Sequence, residues 1–125
     1  MAAKSILVVD SSASIRQIVV FTLKNAGYST TEASDGEAAW NLRSKNFDMI
    51  ITDLSMPRMD GITMIKKFKE LATASSKPMT KIIVLSSETS TEKKNAARTA
   101  GATIYMEKPF TPSKLVENVK KTIGN

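Results

Sequence analysis

Neither cysteine nor histidine occurs among the 125 residues of this chain. The first absence excludes disulfides, thiolate zinc sites, iron–sulfur clusters and cysteine nucleophiles. The second excludes Ser-His-Asp chemistry, histidine-ligated metal and histidine-based pH switching. Aromatic residues make up only 6% of the chain, and there are just 5 glycines and 4 prolines. There is no interleaving of aromatics with basic residues for single-stranded nucleic acid to stack on, and no low-complexity tract. No apolar run approaches the roughly 20 residues of a membrane-spanning helix. The opening residues Met1 to Ser5 lack the form of a signal peptide. A cytoplasmic protein without membrane insertion is expected. Its chemistry must come from carboxylates, hydroxyls, amines and backbone.

Residues 1–125 are expected to form one domain, 42% hydrophobic and 24% charged, large enough to fold without a metal or disulfide staple. Lys and Arg number 18 against 12 for Asp and Glu, a formal charge of +6. The lysines read either as a solvated surface or as an attraction for acidic partners. They group as Lys66, Lys67, Lys69, Lys77 and Lys81, as Lys93, Lys94 and Arg98, and as Lys114, Lys120 and Lys121. No recognition-helix motif accompanies them, so nucleic acid is not an expected partner.

Four short apolar, β-branched runs read as strands covered on both faces: Ile6 to Val9, Met49 to Thr52, Ile82 to Leu85 and Thr103 to Met106. The weaker run Ser29 to Ala33 reads as an edge strand. Helical periods lie between and after them. Ser14 to Ala26 turns Ile15, Val19, Thr22, Leu23 and Ala26 to one side, with Gly27 closing it. A second helix opens at Asp35-Gly36-Glu37 and runs through Leu42; a third spans Gly61 to Ala72. Thr91 to Ala100 has only alanines to bury, and the last helix starts at Thr111-Pro112-Ser113. Thr73 to Lys81 reads as a loop. Five βα units with right-handed crossovers make an α/β fold with a doubly wound parallel sheet.

In such a sheet, ligands bind beyond the carboxyl ends of the strands. Asp10 and Ser11, Asp53, Ser86 and Ser87, and Lys108 stand at those ends. If the first and third strands are neighbours, Asp10 and Asp53 face each other and favour a hard cation such as Mg2+. With neither histidine nor cysteine available, the nucleophile is a carboxylate, and an acyl phosphate is its product with a phosphoryl donor. A metal and Lys108 would neutralise the charge of the transferring group.

Ile6-Leu7-Val8-Val9-Asp10, then Asp53-Leu54-Ser55-Met56-Pro57-Arg58-Met59-Asp60-Gly61, then Leu85-Ser86, then Lys108-Pro109-Phe110 resemble the receiver domain of two-component response regulators. Because nothing follows the last helix, the chain looks most like the stand-alone, CheY-like branch. The resemblance implies a five-stranded sheet in the order 2-1-3-4-5, the CheY-like example of the doubly wound fold. It implies a phosphoacceptor that catalyses only its own phosphorylation and hydrolysis, with Asp53 receiving the group from a histidine kinase or histidine phosphotransferase. Asp10, Asp53 and the Ser55 carbonyl would hold Mg2+, Lys108 would contact the phosphoryl oxygens, and Lys108-Pro109 would be a cis peptide. Ser86 and Tyr105 would form the switch that alters the face of the fourth helix, fifth strand and fifth helix for a downstream protein target. Glu88 and Ser55 would flank the route of the hydrolytic water. A cytoplasmic monomer is the expected form, and chemotaxis the expected pathway.

Two features depart from the pattern. Ser11 stands where the family has a second metal-binding acid, so Mg2+ is expected to bind more weakly. Val20 and Phe21 fall on the outer side of the first helix by a 100° wheel. They read either as a docking patch for a kinase, a phosphotransferase or a second copy, or as scattered surface apolar residues. Besides the phosphorylated switch, two readings stay open: a relay intermediate or phosphate sink, and a binding module that works without phosphorylation.

Overall fold

A computed structural model describes residues 3–125. Five strands and five helices alternate: β1 (Ser5–Val9), α1 (Ala13–Asn25), β2 (Ser29–Ala33), α2 (Gly36–Trp40), β3 (Met49–Thr52), α3 (Gly61–Ala74), β4 (Lys81–Ser86), α4 (Thr91–Ala100), β5 (Ile104–Glu107) and α5 (Pro112–Ile123). Each helix opens on a side-chain cap that accepts the backbone N–H three residues on. The caps are Ser12, Asp35, Asp60, Ser90 and Thr111. A free N-terminal amide is therefore satisfied at every βα turn, which makes each turn sharp and its strand end well placed.

The strands pair in parallel in the order β2-β1-β3-β4-β5. Alternate residues of each strand face opposite sides, and the two sides bury two cores. Ile6, Val8, Ile51 and Ile83 face α1 and α5, meeting Val19, Leu23, Leu115 and Val119. Leu7, Val9, Ile50, Ile82 and Val84 face α2, α3 and α4, meeting Ala39, Met64, Ile65 and Phe68. This double coverage is why the inner strands are continuously apolar.

Helix boundaries shift from the sequence reading. α2 ends at Trp40 rather than Leu42, and Leu42 to Lys45 continue as turns held by i→i+3 hydrogen bonds. α3 runs on to Ala74, into the expected loop. The wheel placing Val20 outside is corrected: Val20 is 8% exposed and packs in the core with Val19 and Leu23. α1 packs on both the sheet and α5, so its buried arc is wider than one stripe. Phe21 stays outside at 68% exposure, and its apolar companion is Ile18, at 48%.

α4 reaches the core only through Ala97 and Ala100, both buried, so its contact with the core is made by methyl groups alone. Ala97→Leu is therefore expected to destabilise the protein by about 1–3 kcal/mol through overpacking. The urea midpoint should fall with an unchanged m-value; an unchanged midpoint would mean that α4 lifts freely off its seat.

Candidate functional site

Strand register assembles the site. Val9 pairs with Thr52, so Asp10 and Asp53 leave adjacent strands side by side, and the Asp53 N–H donates to the Val9 carbonyl at 3.1 Å. Ser86 pairs with Glu107, which brings Lys108 to the same edge; its N–H donates to the Ser86 carbonyl at 2.8 Å. From there the Lys108 ammonium reaches Asp10 Oδ2 at 2.9 Å and Asp53 Oδ2 at 3.1 Å. The other carboxylate oxygens accept backbone N–H groups, Asp10 Oδ1 from Ser12 at 2.9 Å and Asp53 Oδ1 from Leu54 at 2.7 Å.

Burial alone would lower the Lys108 pKa. The hydrogen bond to Asp10 and the charges of Asp53 and Asp10 outweigh it, and the ammonium is held above the ordinary lysine value. Because the folded value is the higher one, this stabilisation is complete below the unfolded pKa of about 10.4 and is lost as the pH climbs through the folded value.

The donor set suits a hard cation. Both carboxylates already converge on one positive centre, and every available ligand is oxygen, as Mg2+ requires. Among the described residues no group of three or more acids surrounds such a point, and Ser11, next to Asp10 on the β1–α1 turn, is exposed.

Beside the acids lies a cavity of about 490 Å³ lined by Ser55, Met56, Ser86, Glu88 and Lys93, among others. Ser86 is buried, and its Oγ accepts the Glu88 N–H at 3.1 Å. The Glu88 carbonyl in turn accepts the Tyr105 hydroxyl at 2.6 Å. Tyr105 is half-buried with the Lys94 ammonium 5.8 Å from its ring centre, and Lys94 also pairs with Glu107. The Lys108-Pro109 peptide is cis, as expected.

Three contacts that hold this site were not legible as site features. Arg16, one turn into α1, donates to the Asp10 carbonyl at 2.6 Å and to Glu32 at 2.9 Å, fixing the β1–α1 turn from the neighbouring strand. Its only signal is an arginine four residues after a cap. Gly61 donates to the Leu54 carbonyl at 2.8 Å, and a Cβ on it would lie 2.3 Å from the Asp53 carbonyl oxygen. The Asp53 loop therefore closes against α3 only over a glycine. The third is an ion pair between Arg58, at φ 66° in that same loop, and buried Asp35, the cap of α2.

Residues 6–120 match the response regulator receiver domain. The chain belongs to this family. The receiver is similar to a chemotaxis protein CheY homolog of Campylobacter jejuni, 36% identical over 122 residues spanning 95% of this chain and 92% of the relative. It is similar to chemotaxis protein CheY1 of Helicobacter pylori, with 35% identity over 95% and 96%. Among solved structures, chemotaxis response regulator CheY4 of Vibrio cholerae superposes with a TM-score of 0.87 at 38% identity, covering 97% of this chain and 99% of that one. A CheY-like receiver from Methanospirillum hungatei gives 0.88 at 25% identity, over 98% and 94%. This is a CheY-like receiver of phosphorelay signalling. No helix among its described residues is long and apolar enough to cross a membrane.

The Asp35–Arg58 pair fastens the receiver's Asp53 loop to α2. The Ala38 N–H holds the Asp35 pKa below the ordinary carboxylate value; burial opposes this, and Arg58 reinforces it. A depressed folded pKa adds stability above the unfolded value of about 3.9, lost as the pH falls through the lower folded one. Asp35→Asn keeps a capping side chain but not the charge. It should cost about 1 kcal/mol at neutral pH, with the difference from the parent shrinking below pH about 4. Urea titrations at both pH values read it; a pH-independent difference would show that the ion pair contributes nothing.

Proposed function

We propose that Asp53 accepts a phosphoryl group from a histidine kinase or histidine phosphotransferase in the cytoplasm, and that the modification alters the α4–β5–α5 face for a protein target. The observation behind this reading is the single ammonium of Lys108 spanning Asp10 and Asp53 at the strand ends. An Asp53 carboxylate oxygen attacks the phosphorus of phosphohistidine. The P–N bond breaks and its electron pair returns to the imidazole nitrogen. Lys108 stays charged throughout and neutralises a phosphoryl oxygen. Asp10, Asp53 and the Ser55 carbonyl would hold Mg2+, which when bound supplies further neutralisation of the transferring group. The chain acts as a phosphoacceptor and catalyses only its own labelling and hydrolysis, with Glu88 and Ser55 flanking the approach of water.

Glu88 couples acceptor to surface in this reading, since its N–H holds Ser86 and its carbonyl holds Tyr105. When the Ser86 hydroxyl turns to donate to a phosphoryl oxygen, it gives up the Glu88 N–H. The segment that retains Tyr105 outside is then free to shift and the ring turns inward, a change of population between two packings. Chemotaxis is the pathway this reading favours, supported by the likeness to relatives named as chemotaxis proteins.

Incubation with acetyl phosphate and Mg2+ should add one phosphoryl mass, absent with EDTA and in Asp53→Asn. Ser11→Asp should lower the Mg2+ needed for half-maximal labelling by roughly tenfold, the effect of one added carboxylate. No adduct, combined with no spectral response to beryllofluoride, would overturn the proposal and leave a module that signals by binding alone.

The phosphoryl donor docks on α1 in this reading, over Ile18 and Phe21. These border an apolar groove of about 920 Å³ shared with Pro112 and Val116 of α5. Ile18→Ser with Phe21→Ser is expected to reduce kcat/KM for transfer from the histidine kinase by about tenfold, with labelling by acetyl phosphate unchanged. Equal rates from the kinase would remove the groove from the docking surface.

A further inference from the structure

At the opposite end of the sheet, the loops at residues 41–48 and 75–80 enclose a cleft of about 490 Å³. Met49 begins β3 and Lys81 begins β4, so the cleft lies roughly 13 Å along the strands from the acceptor. Four cations line it: Arg43, Lys45, Lys77 and Lys81. None of them forms an ion pair among the described residues. The lone acid in the wall, Asp48, is engaged elsewhere, accepting the Ser5 N–H at 2.8 Å. Its apolar lining comes from Phe47, Phe68, Leu71 and Met79, with Phe68 the most buried of them.

An unneutralised set of cations beside an apolar lining has two complements at once, negative charge and one large apolar side chain. We propose that this cleft binds an acidic peptide segment of a partner protein that inserts a single apolar anchor between the two loops. Nucleic acid fits less well. Phe68 is buried and edge-on to Trp40, at 81° and 5.3 Å between ring centres, so it offers no open face on which a base could stack. The position also separates this site from the acceptor: occupancy leaves Asp53, Ser86 and Lys108 uncovered, and a partner held here could remain bound through a cycle of phosphorylation.

The test is a titration of the full 15N-labelled chain with a short polyglutamate peptide carrying one central phenylalanine, followed by amide shifts. Shifts should concentrate at residues 43–48 and 75–81. Replacing the peptide's phenylalanine by alanine should weaken binding about tenfold, as loss of one anchored ring does. Lys77→Glu with Lys81→Glu should weaken it by a similar factor, and added salt should weaken it further. If that variant melts below the parent, Arg43→Gln with Lys45→Gln takes its place. Labelling by acetyl phosphate should match the parent in both, which separates loss of this site from failure of the acceptor chemistry. Shifts spread evenly over the lysines of α4 and α5, affinity indifferent to the phenylalanine, or displacement of the peptide by polyuridylate would each overturn the proposal.

Discussion

The arrangement rests on one ammonium held between two carboxylates. Parallel pairing of β1 with β3 places Asp10 and Asp53 side by side whatever their mutual repulsion, because the strand register is set by the apolar faces beneath them. Lys108 offsets that repulsion from the far edge of the site, and it can do so only because β5 pairs with β4 two strands away from β1. Loss of the ammonium would leave two nearly buried acids with no counter-charge, a costly state. The three residues are 43 and 55 positions apart in the chain, and the sheet makes them neighbours.

Much of this is legible in the sequence. Apolar runs located four of the strands to within a residue or two, and the weaker run Ser29 to Ala33 located the edge strand β2, because a strand in the middle of a covered sheet has a signal that needs no partner to interpret. The polar residues at their ends marked the site for the same reason. Helix ends were harder to read. α2 stops at Trp40 although Leu42 continues the pattern, because the ring is engaged by Phe68 of α3 and the chain turns away to enter β3. Val20 was misplaced because a wheel assumes one buried stripe, whereas α1 packs against two elements. The strand order and the residue roles came from family resemblance rather than periodicity, and such information is not contained in local pattern.

The contacts that stiffen the site were invisible for a related reason. Arg16 with Glu32, and Arg58 with Asp35, join residues 16 and 23 positions apart. Each is an ordinary charged residue in sequence and becomes specific only when strands are paired. Gly61 lies at the other extreme. It belongs to a recognisable motif, but the reason for glycine is the approach of the Asp53 carbonyl, which is a fact of packing. The Asp53 loop is thus fastened at one end by an ion pair and at the other by the absence of a side chain.

Trp40 is the only tryptophan, and two cations approach its ring, the Arg43 guanidinium at 4.8 Å and the Lys67 ammonium at 5.3 Å. The indole is therefore an optical probe with a fixed address. Its emission senses the charges around the α2–α3 seam, and through Arg43 it senses the basic cleft, far from Asp53. A fluorescence trace of this protein registers that quarter of the molecule, and events at Asp53 reach it through α3 or through the Arg58–Asp35 pair that ties the Asp53 loop to α2.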